Sequence, residues 1–307
     1  MRVLVTGGAG FIGSHTAEGL LAAGHEVMVL DDLSRGKREN VPAGARLVVA
    51  GITTVEAEKA IADFKPEAVH HFAAQMDVRI SVANPVLDSD INVGGTVRIA
   101  LAAVNAGAKV FTMASTGGAI YGEQDRFPAD ESHACRSDSP YGISKRCGEI
   151  YLDYFARKRG LRTVFLRFAN VYGPRQDPHG EAGVVAIFSE KMLRGQTPVI
   201  FGDGKQTRDY VFVKDVVDAN LRALQNETAS GPYNIGTSIE TDVIELARRI
   251  GVHAGFSGSP RHEPGKPGEQ RRSVLDVTHA RNVLGWAPRV DLDSGLKATV
   301  DWFRGRL

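Results

Sequence analysis

The run Val3-Leu4-Val5-Thr6-Gly7-Gly8-Ala9-Gly10-Phe11-Ile12-Gly13 constrains this chain more than any other stretch. A β-rich segment passes directly into four glycines within seven residues and then into an apolar helical pattern. Glycines 7, 10 and 13 have G-x-x-G-x-x-G spacing, while Gly8, Gly10 and Gly13 also satisfy G-x-G-x-x-G. Residues without Cβ let a backbone turn approach a pyrophosphate, and a helix starting near Phe11 offers free N–H groups and its positive dipole end. Asp31 follows about twenty residues later at the end of a second strand-like run, where a carboxylate can accept both hydroxyls of an adenosine ribose. A 2′-phosphate beside it would be repelled, which favours NAD over NADP. Arg35, Lys37 and Arg38 lie nearby and oppose that preference, or form a solvated basic loop.

The pattern that follows supports a parallel sheet. Arg2–Thr6, Glu26–Leu30, Arg46–Val49, Ala68–Phe72, Lys109–Ala114 and Thr163–Arg167 read as strands. Ser14–Ala23, Val55–Phe64 and Val93–Ala106 have helix-like periodicity between them. Strands alternating with helices predict an α/β, doubly wound fold. With 307 residues the chain exceeds the size at which one core usually divides, so a smaller C-terminal lobe is expected. Pro- and Gly-rich connections after Asn170–Arg175 place the division at 1–175 and 176–307. Arg208–Leu224 and Pro232–Ile235 look like a helix and strand that rejoin the first part, at about 206–235, so the boundary is interleaved. Gly255–Gly268 is the most loop-like region.

Composition narrows the partners. The 37 basic and 36 acidic residues leave a formal charge of +1, which gives no bulk electrostatic case for nucleic acid or an anionic surface. No apolar run approaches the roughly 18–20 residues needed to span a bilayer, and Met1-Arg2 leads straight into a strand-like run, so a cytoplasmic location is expected. Cys135 and Cys147 have no metal-ligand spacing, and no metal is expected.

Chemistry is concentrated in Ser139-Pro140-Tyr141-Gly142-Ile143-Ser144-Lys145. If Ser139 caps a helix and Pro140 takes its first turn, Tyr141 and Lys145 share a face with Cβ atoms roughly 5–6 Å apart. A tyrosine titrates near pH ~10, so lowering it about three units needs roughly 4 kcal/mol of preferential phenolate stabilisation. Lys145 and an oxidised nicotinamide ring are the expected sources, making Tyr141 a candidate general base for an alcohol whose carbon gives up a hydride.

With these motifs stand His71-Phe72-Ala73-Ala74-Gln75, Ala114–Gly122, Arg167–Gly173 and Phe201–Tyr210. In this order they resemble the extended short-chain dehydrogenase/reductase superfamily, and within it the NAD-dependent nucleotide-sugar epimerases, over essentially the whole chain. The resemblance implies a Rossmann domain with a UDP-sugar-binding lobe, a homodimer, and 4-epimerisation of a UDP-hexose through a 4-keto intermediate. It implies Thr116 as the hydroxyl on the reacting O4, alongside Tyr141 and Lys145; capping of the strand end is the alternative for Thr116. Implied cofactor contacts are Gly7, Gly10, Phe11, Ile12, Gly13, Asp31, Asp32, Ser34, Ile52, Phe72, Ala73, Ala74, Asn92, Ser115, Tyr141, Lys145 and Phe168. Gly51 stands where the family usually has an adenine-side Asp.

On the substrate side the resemblance implies Gln75, Thr116, Asn170, Val185, Thr197, Val199, Phe201, Arg208, Lys266, Glu269 and Ser273. Arg208 can clamp a diphosphate bidentately, whereas Lys266 stands in place of a second arginine and cannot. Glu269 is read either as a uridine-ribose acceptor or as a solvated carboxylate. Ser273, at the position bordering the sugar C2 substituent, leaves room for an N-acetyl group. Three other readings remain. Arg175 reaching a C6 carboxylate would make a uronate epimerase. A 4,6-dehydratase would need the acids that Gly117-Gly118 lack. A non-catalytic NAD sensor would not need Thr116, Tyr141 and Lys145.

Overall fold

The computed structural model describes residues 1–179, 183–265 and 270–307. Strand β1 (Arg2–Thr6) leads through the glycine turn into α1 (Phe11–Ala22), then β2 (Glu26–Asp31), β3 (Arg46–Val49), α2 (Val55–Phe64) and β4 (Ala68–His71). Two short helices, α3 (Val78–Ala83) and α4 (Pro85–Ser89), precede a π-helical turn at Asp90–Gly95 and α5 (Thr96–Asn105). Next come β5 (Val110–Thr116), the single turn α6 (Gly117–Ile120), α7 (Pro140–Arg159), β6 (Arg162–Phe168) and β7 (Asn170–Tyr172). The chain continues as α8 (Val184–Leu193), β8 (Val199–Phe201), β9 (Thr207–Phe212), α9 (Val213–Gln225), β10 (Gly231–Ile235), β11 (Glu240–Asp242) and α10 (Val243–Ala254). It ends in β12 (Arg261–Glu263), β13 (Arg272–Ser273), α11 (Thr278–Leu284) and α12 (Leu292–Arg304).

Seven parallel strands form one sheet in the order β3-β2-β1-β4-β5-β6-β10. Side-chain alternation explains why both faces are covered. Leu4 of β1 packs with Met28 and Val69 under α2, α5 and α7, while Val3 and Val5 pack with Ala17 and Leu20 of α1 on the opposite face. Each such aliphatic contributes about 1.5–3 kcal/mol when fully buried. A further core joins Tyr172, Phe212, Leu246 and Leu296 between β9 and helices α8, α10 and α12. Around β9, strands β7 and β13 run parallel and β11 antiparallel; β8 and β12 pair separately.

Three local expectations need correction. Arg208–Leu224 is not one helix: its first five residues belong to β9, because Tyr210–Phe212 pair with β7 and residues 207–209 with β11. Helical periodicity takes over at Val213, from which Val216, Ala219 and Ala223 continue the buried stripe of α9. Val93–Ala106 opens as a π-helical turn, where Gly94-Gly95 weakens the α-helical preference, and becomes α-helical only at Thr96. The loop-like 255–268 region includes β12, which is paired with β8. Among the described residues no helix is long and apolar enough to cross a membrane, and no cluster of His, Cys, Asp and Glu has metal-binding geometry.

Candidate active site

Parallel packing brings the C-terminal ends of β1, β4, β5 and β6 to one edge, which is where open α/β sheets bind ligands. At β1 the turn is tight. Gly7 has φ of 67°, and a Cβ there would lie 2.6 Å from the Ala73 nitrogen; one on Gly13 would lie 2.2 Å from the Gly7 oxygen. The glycine loop therefore rests on the Phe72–Ala73 backbone. The N–H groups of Phe11, Ile12 and Gly13 have no acceptor among the described residues, and Gly10 gives no side-chain cap. These free donors at the positive end of α1 suit a pyrophosphate.

Asp31 is nearly buried, its two oxygens accepting the Ala9 N–H at 3.0 Å and the Leu33 N–H at 2.9 Å. Burial raises its pKa, with those two donors acting in the opposite direction. Asp32 is exposed and accepts both the N–H and hydroxyl of Ser34. Ile52 and Phe168 are buried. Gly51, the departure from the family pattern, would carry a Cβ 4.0 Å from Asp32 Oδ2, so an aspartate there would crowd another carboxylate. The donor set fits a dinucleotide with an unphosphorylated ribose.

The helix carrying Tyr141 starts as the sequence implies. Ser139 Oγ accepts the Gly142 N–H, Pro140 occupies the first turn, and Gly160 closes the helix in the left-handed conformation. A Cβ on Gly142 would lie 2.6 Å from the Ala119 oxygen, so this glycine lets the first turn of α7 press against α6. Thr116 caps α6, its Oγ1 accepting the Ala119 N–H at 3.1 Å. Lys145 Nζ donates to the Ala114 oxygen at 3.1 Å, two residues before Thr116. Thr116, Tyr141 and Lys145 thus converge where β5 meets α7.

The electrostatics differ from the expectation of a lysine holding the phenol ionised. Desolvation, followed by the Asp88 charge, pushes the Tyr141 phenol well above its ordinary value. Lys145 Nζ stands 5.9 Å from the Tyr141 ring centroid. Burial brings Lys145 down to about 8, opposed by Asp88 and then Glu149. The residues of the chain alone therefore keep Tyr141 protonated.

Several expected contacts engage protein partners. Ser115 gives its hydroxyl to Glu149 at 2.7 Å. The Asn92 amide bonds Gln75, Asp88 and Ser144, and the Gln75 side chain bonds Asp77 and Asp88. Val185 is 1% exposed, and its side chain packs in the core under α8.

Asn170 and Arg208 remain open. A Cβ on Gly118 would lie 3.8 Å from Asn170 Oδ1 and 3.9 Å from Thr116 Oγ1, so both side chains face the same space. Gly118 brings no acid into it. Arg208 lies on β9 in register with Ser273 and donates only to the Thr207 carbonyl; no carboxylate pairs with it among the described residues. Val199 and Phe201 bound β8, and Thr197 is exposed just before it. Ser273 is buried. Lys266 and Glu269 lie outside the described residues. Arg175, a candidate for a sugar carboxylate, is turned to α1, donating to Ser14 and Glu18.

Sequence reasoning missed Ser81, Asp88, Glu149 and Asp209. Ser81 Oγ accepts the Tyr141 N–H, and buried Asp209 accepts from Thr237, Ser238 and Leu275 to fix β9. Two had a signal: Glu149, four residues after Lys145 on the same helical face, and Asp209, inside the Phe201–Tyr210 motif.

A family model described as the NAD dependent epimerase/dehydratase family matches residues 3–236. The UDP-glucose 4-epimerase of Mycolicibacterium smegmatis is 47% identical, covering 100% of this chain and 99% of that protein. The Thermotoga maritima UDP-glucose 4-epimerase structure with UDP-glucose superposes with a TM-score of 0.97 at 47% identity, covering 100% of this chain and 99% of the other. The Thermus thermophilus UDP-glucose 4-epimerase in complex with NAD gives 0.94 at 45%, covering 100% of both.

Proposed function

The chain belongs to the NAD-dependent epimerase/dehydratase family, and from that premise we infer that it is an enzyme interconverting UDP-galactose and UDP-glucose by 4-epimerisation with NAD as cofactor. The observation that carries this reading is the convergence of Thr116, Tyr141 and Lys145 at the β5–α7 junction, beside an uncommitted Asn170. When bound, NAD supplies a hydride acceptor for C4 and, oxidised, a positive charge favouring the Tyr141 phenolate. Tyr141 takes the 4-hydroxyl proton through or beside Thr116, whose hydroxyl bond strengthens as O4 gains charge. Lys145 holds the β5 end in place and adds positive charge. Asn170 and Arg208 hold the diphosphate while the 4-keto hexose turns its other face to the returning hydride, which goes back to C4, and Tyr141 gives its proton back to O4 of the inverted centre.

On the cofactor side, Phe11, Ile12 and Gly13 N–H groups take the pyrophosphate and Asp31 the ribose. Val199 and Phe201 line the uracil. Residues 1–175 with about 206–235 serve NAD, and the rest of 176–307 the UDP-sugar. Exposed Leu101 on α5 and Ile143, Ile150, Tyr151 and Tyr154 on α7 form the face through which we expect two copies to pair in the cytoplasm; a monomer at working concentration refutes it. Engagement of Arg175 by α1 weighs against the uronate reading, and Gly118 against dehydration.

The test is incubation with UDP-galactose, with and without added NAD, followed by chromatography for UDP-glucose. Conversion without added NAD indicates retained cofactor. Conversion of UDP-galacturonate alone would transfer the assignment to the uronate epimerase, and silence on both would reopen the sensor. Ser273 supports N-acetylhexosamines as further substrates. Ser273→Tyr is therefore expected to lower kcat/KM for UDP-N-acetylgalactosamine, relative to UDP-galactose, about tenfold or more. An unchanged ratio would remove Ser273 from the sugar pocket.

A further inference from the structure

Asp88 lies in α4, outside every motif that identifies the site, yet it is 1% exposed and packed towards α7. Its Oδ1 accepts Gln75 Nε2 and Asn92 Nδ2, each at 3.0 Å. Its Oδ2 is buried with no hydrogen-bond partner among the described residues. A buried carboxylate oxygen without a donor is costly, and such atoms are rare enough in folded proteins to call for a reason. From Asp88 a connected path runs to the catalytic helix. Asn92 Nδ2 also donates to Ser144 Oγ at 3.2 Å, and that hydroxyl donates to the Tyr141 carbonyl at 2.9 Å.

We infer that Asp88 is a positioning residue for the catalytic pair: it fixes the first turn of α7 through Asn92 and Ser144, and its carboxylate is the buried negative charge set against Lys145 and Tyr141. This rests on the epimerase reading of the site. The charges around it support the assignment. Desolvation lowers Lys145, and Asp88 is the leading charge opposing that, ahead of Glu149; desolvation raises Tyr141, and Asp88 raises it further. Other nearby groups are already matched or neutral. Glu149 is bonded by Arg167 and Arg146, and Asp77, the N-cap of α3, pairs with Arg79. His71 of β4 is held at about 3 by burial and Lys145, hence neutral. Asp90 follows in the π-helical turn.

Removing the Asp88 charge favours the phenolate and disfavours the ammonium, so both titrations move the same way. In Asp88→Asn the acid and alkaline limbs of the kcat–pH profile on UDP-galactose are expected to shift to lower pH by about one unit or more. Isotope-labelled lysine NMR, with the Lys145 signal identified by its loss in Lys145→Met, should show Lys145 titrating lower by a similar amount. A loss of packing alone would reduce amplitude and leave the limbs in place, and that result overturns the proposal. If Asp88→Asn does not fold, Asp88→Ser removes the carboxylate without introducing an unpaired amide and must give the same displacement. A parent protein silent on UDP-galactose would sink the epimerase reading, while the Lys145 titration would still decide the role of Asp88.

Discussion

Tyr141→Phe is expected to lower kcat on UDP-galactose by about 10²–10⁴-fold, the range that a general acid–base group supplies. The substitution removes one oxygen and little else. No hydrogen bond to the phenol oxygen links it to other described residues, and the anchors of the residue are backbone groups: its N–H on Ser81 and its carbonyl on Ser144. Stability should therefore change by no more than about 0.5 kcal/mol. KM should change far less than kcat, since the UDP anchors lie on other elements. Steady-state assay with a thermal melt separates the outcomes. Undiminished turnover in a folded variant would remove Tyr141 from the chemistry, and equal loss of stability and activity would make it a packing residue.

This prediction starts from a pair four residues apart, and the fold around it was legible for the same reason: the information is local. The glycine turn, the Ser139 cap with Pro140, and the alternation of β1 are each set by neighbours in sequence. What escaped depends on contacts between distant segments. Asp88 gains its meaning only when α4 folds onto α7 and meets Asn92 and Gln75. The Gln75 amide likewise bonds Asp77 and Asp88, groups that only the fold brings around it. Arg208–Phe212 shows the same limit from another side: three partner strands, drawn from residues 170–172, 240–242 and 272–273, make β9 a strand where its own residues run on into a helical pattern.

The second large effect concerns stability, at Glu149 on α7. Its carboxylate receives Arg167 through two nitrogens at 2.7 and 3.0 Å, Ser115 at 2.7 Å and Arg146 at 2.8 Å. The side chain of Glu149 is fully buried and that of Arg167 is 2% exposed. Arg167 also donates to the Tyr121 hydroxyl, which itself donates to Asn234, so the pair joins β5, α7, β6 and β10. Glu149→Gln keeps the volume but leaves a buried guanidinium without its anion. Breaking a buried pair in this way costs about 3–5 kcal/mol. Burial by itself would raise the Glu149 pKa, but Arg167, Ser115 and Arg146 outweigh it and the net shift is downward. A carboxylate depressed in the folded state contributes stability that is fully present above its unfolded pKa, about 4.3, and is lost as pH falls through the lower folded value. The parent and Glu149→Gln should therefore differ in urea midpoint by a constant amount at neutral pH, and the difference should shrink once pH drops below about 4. A gap that stayed constant into acid would mean that the charge of Glu149 contributes nothing and that shape alone holds this junction, on which Thr116 and Lys145 are mounted.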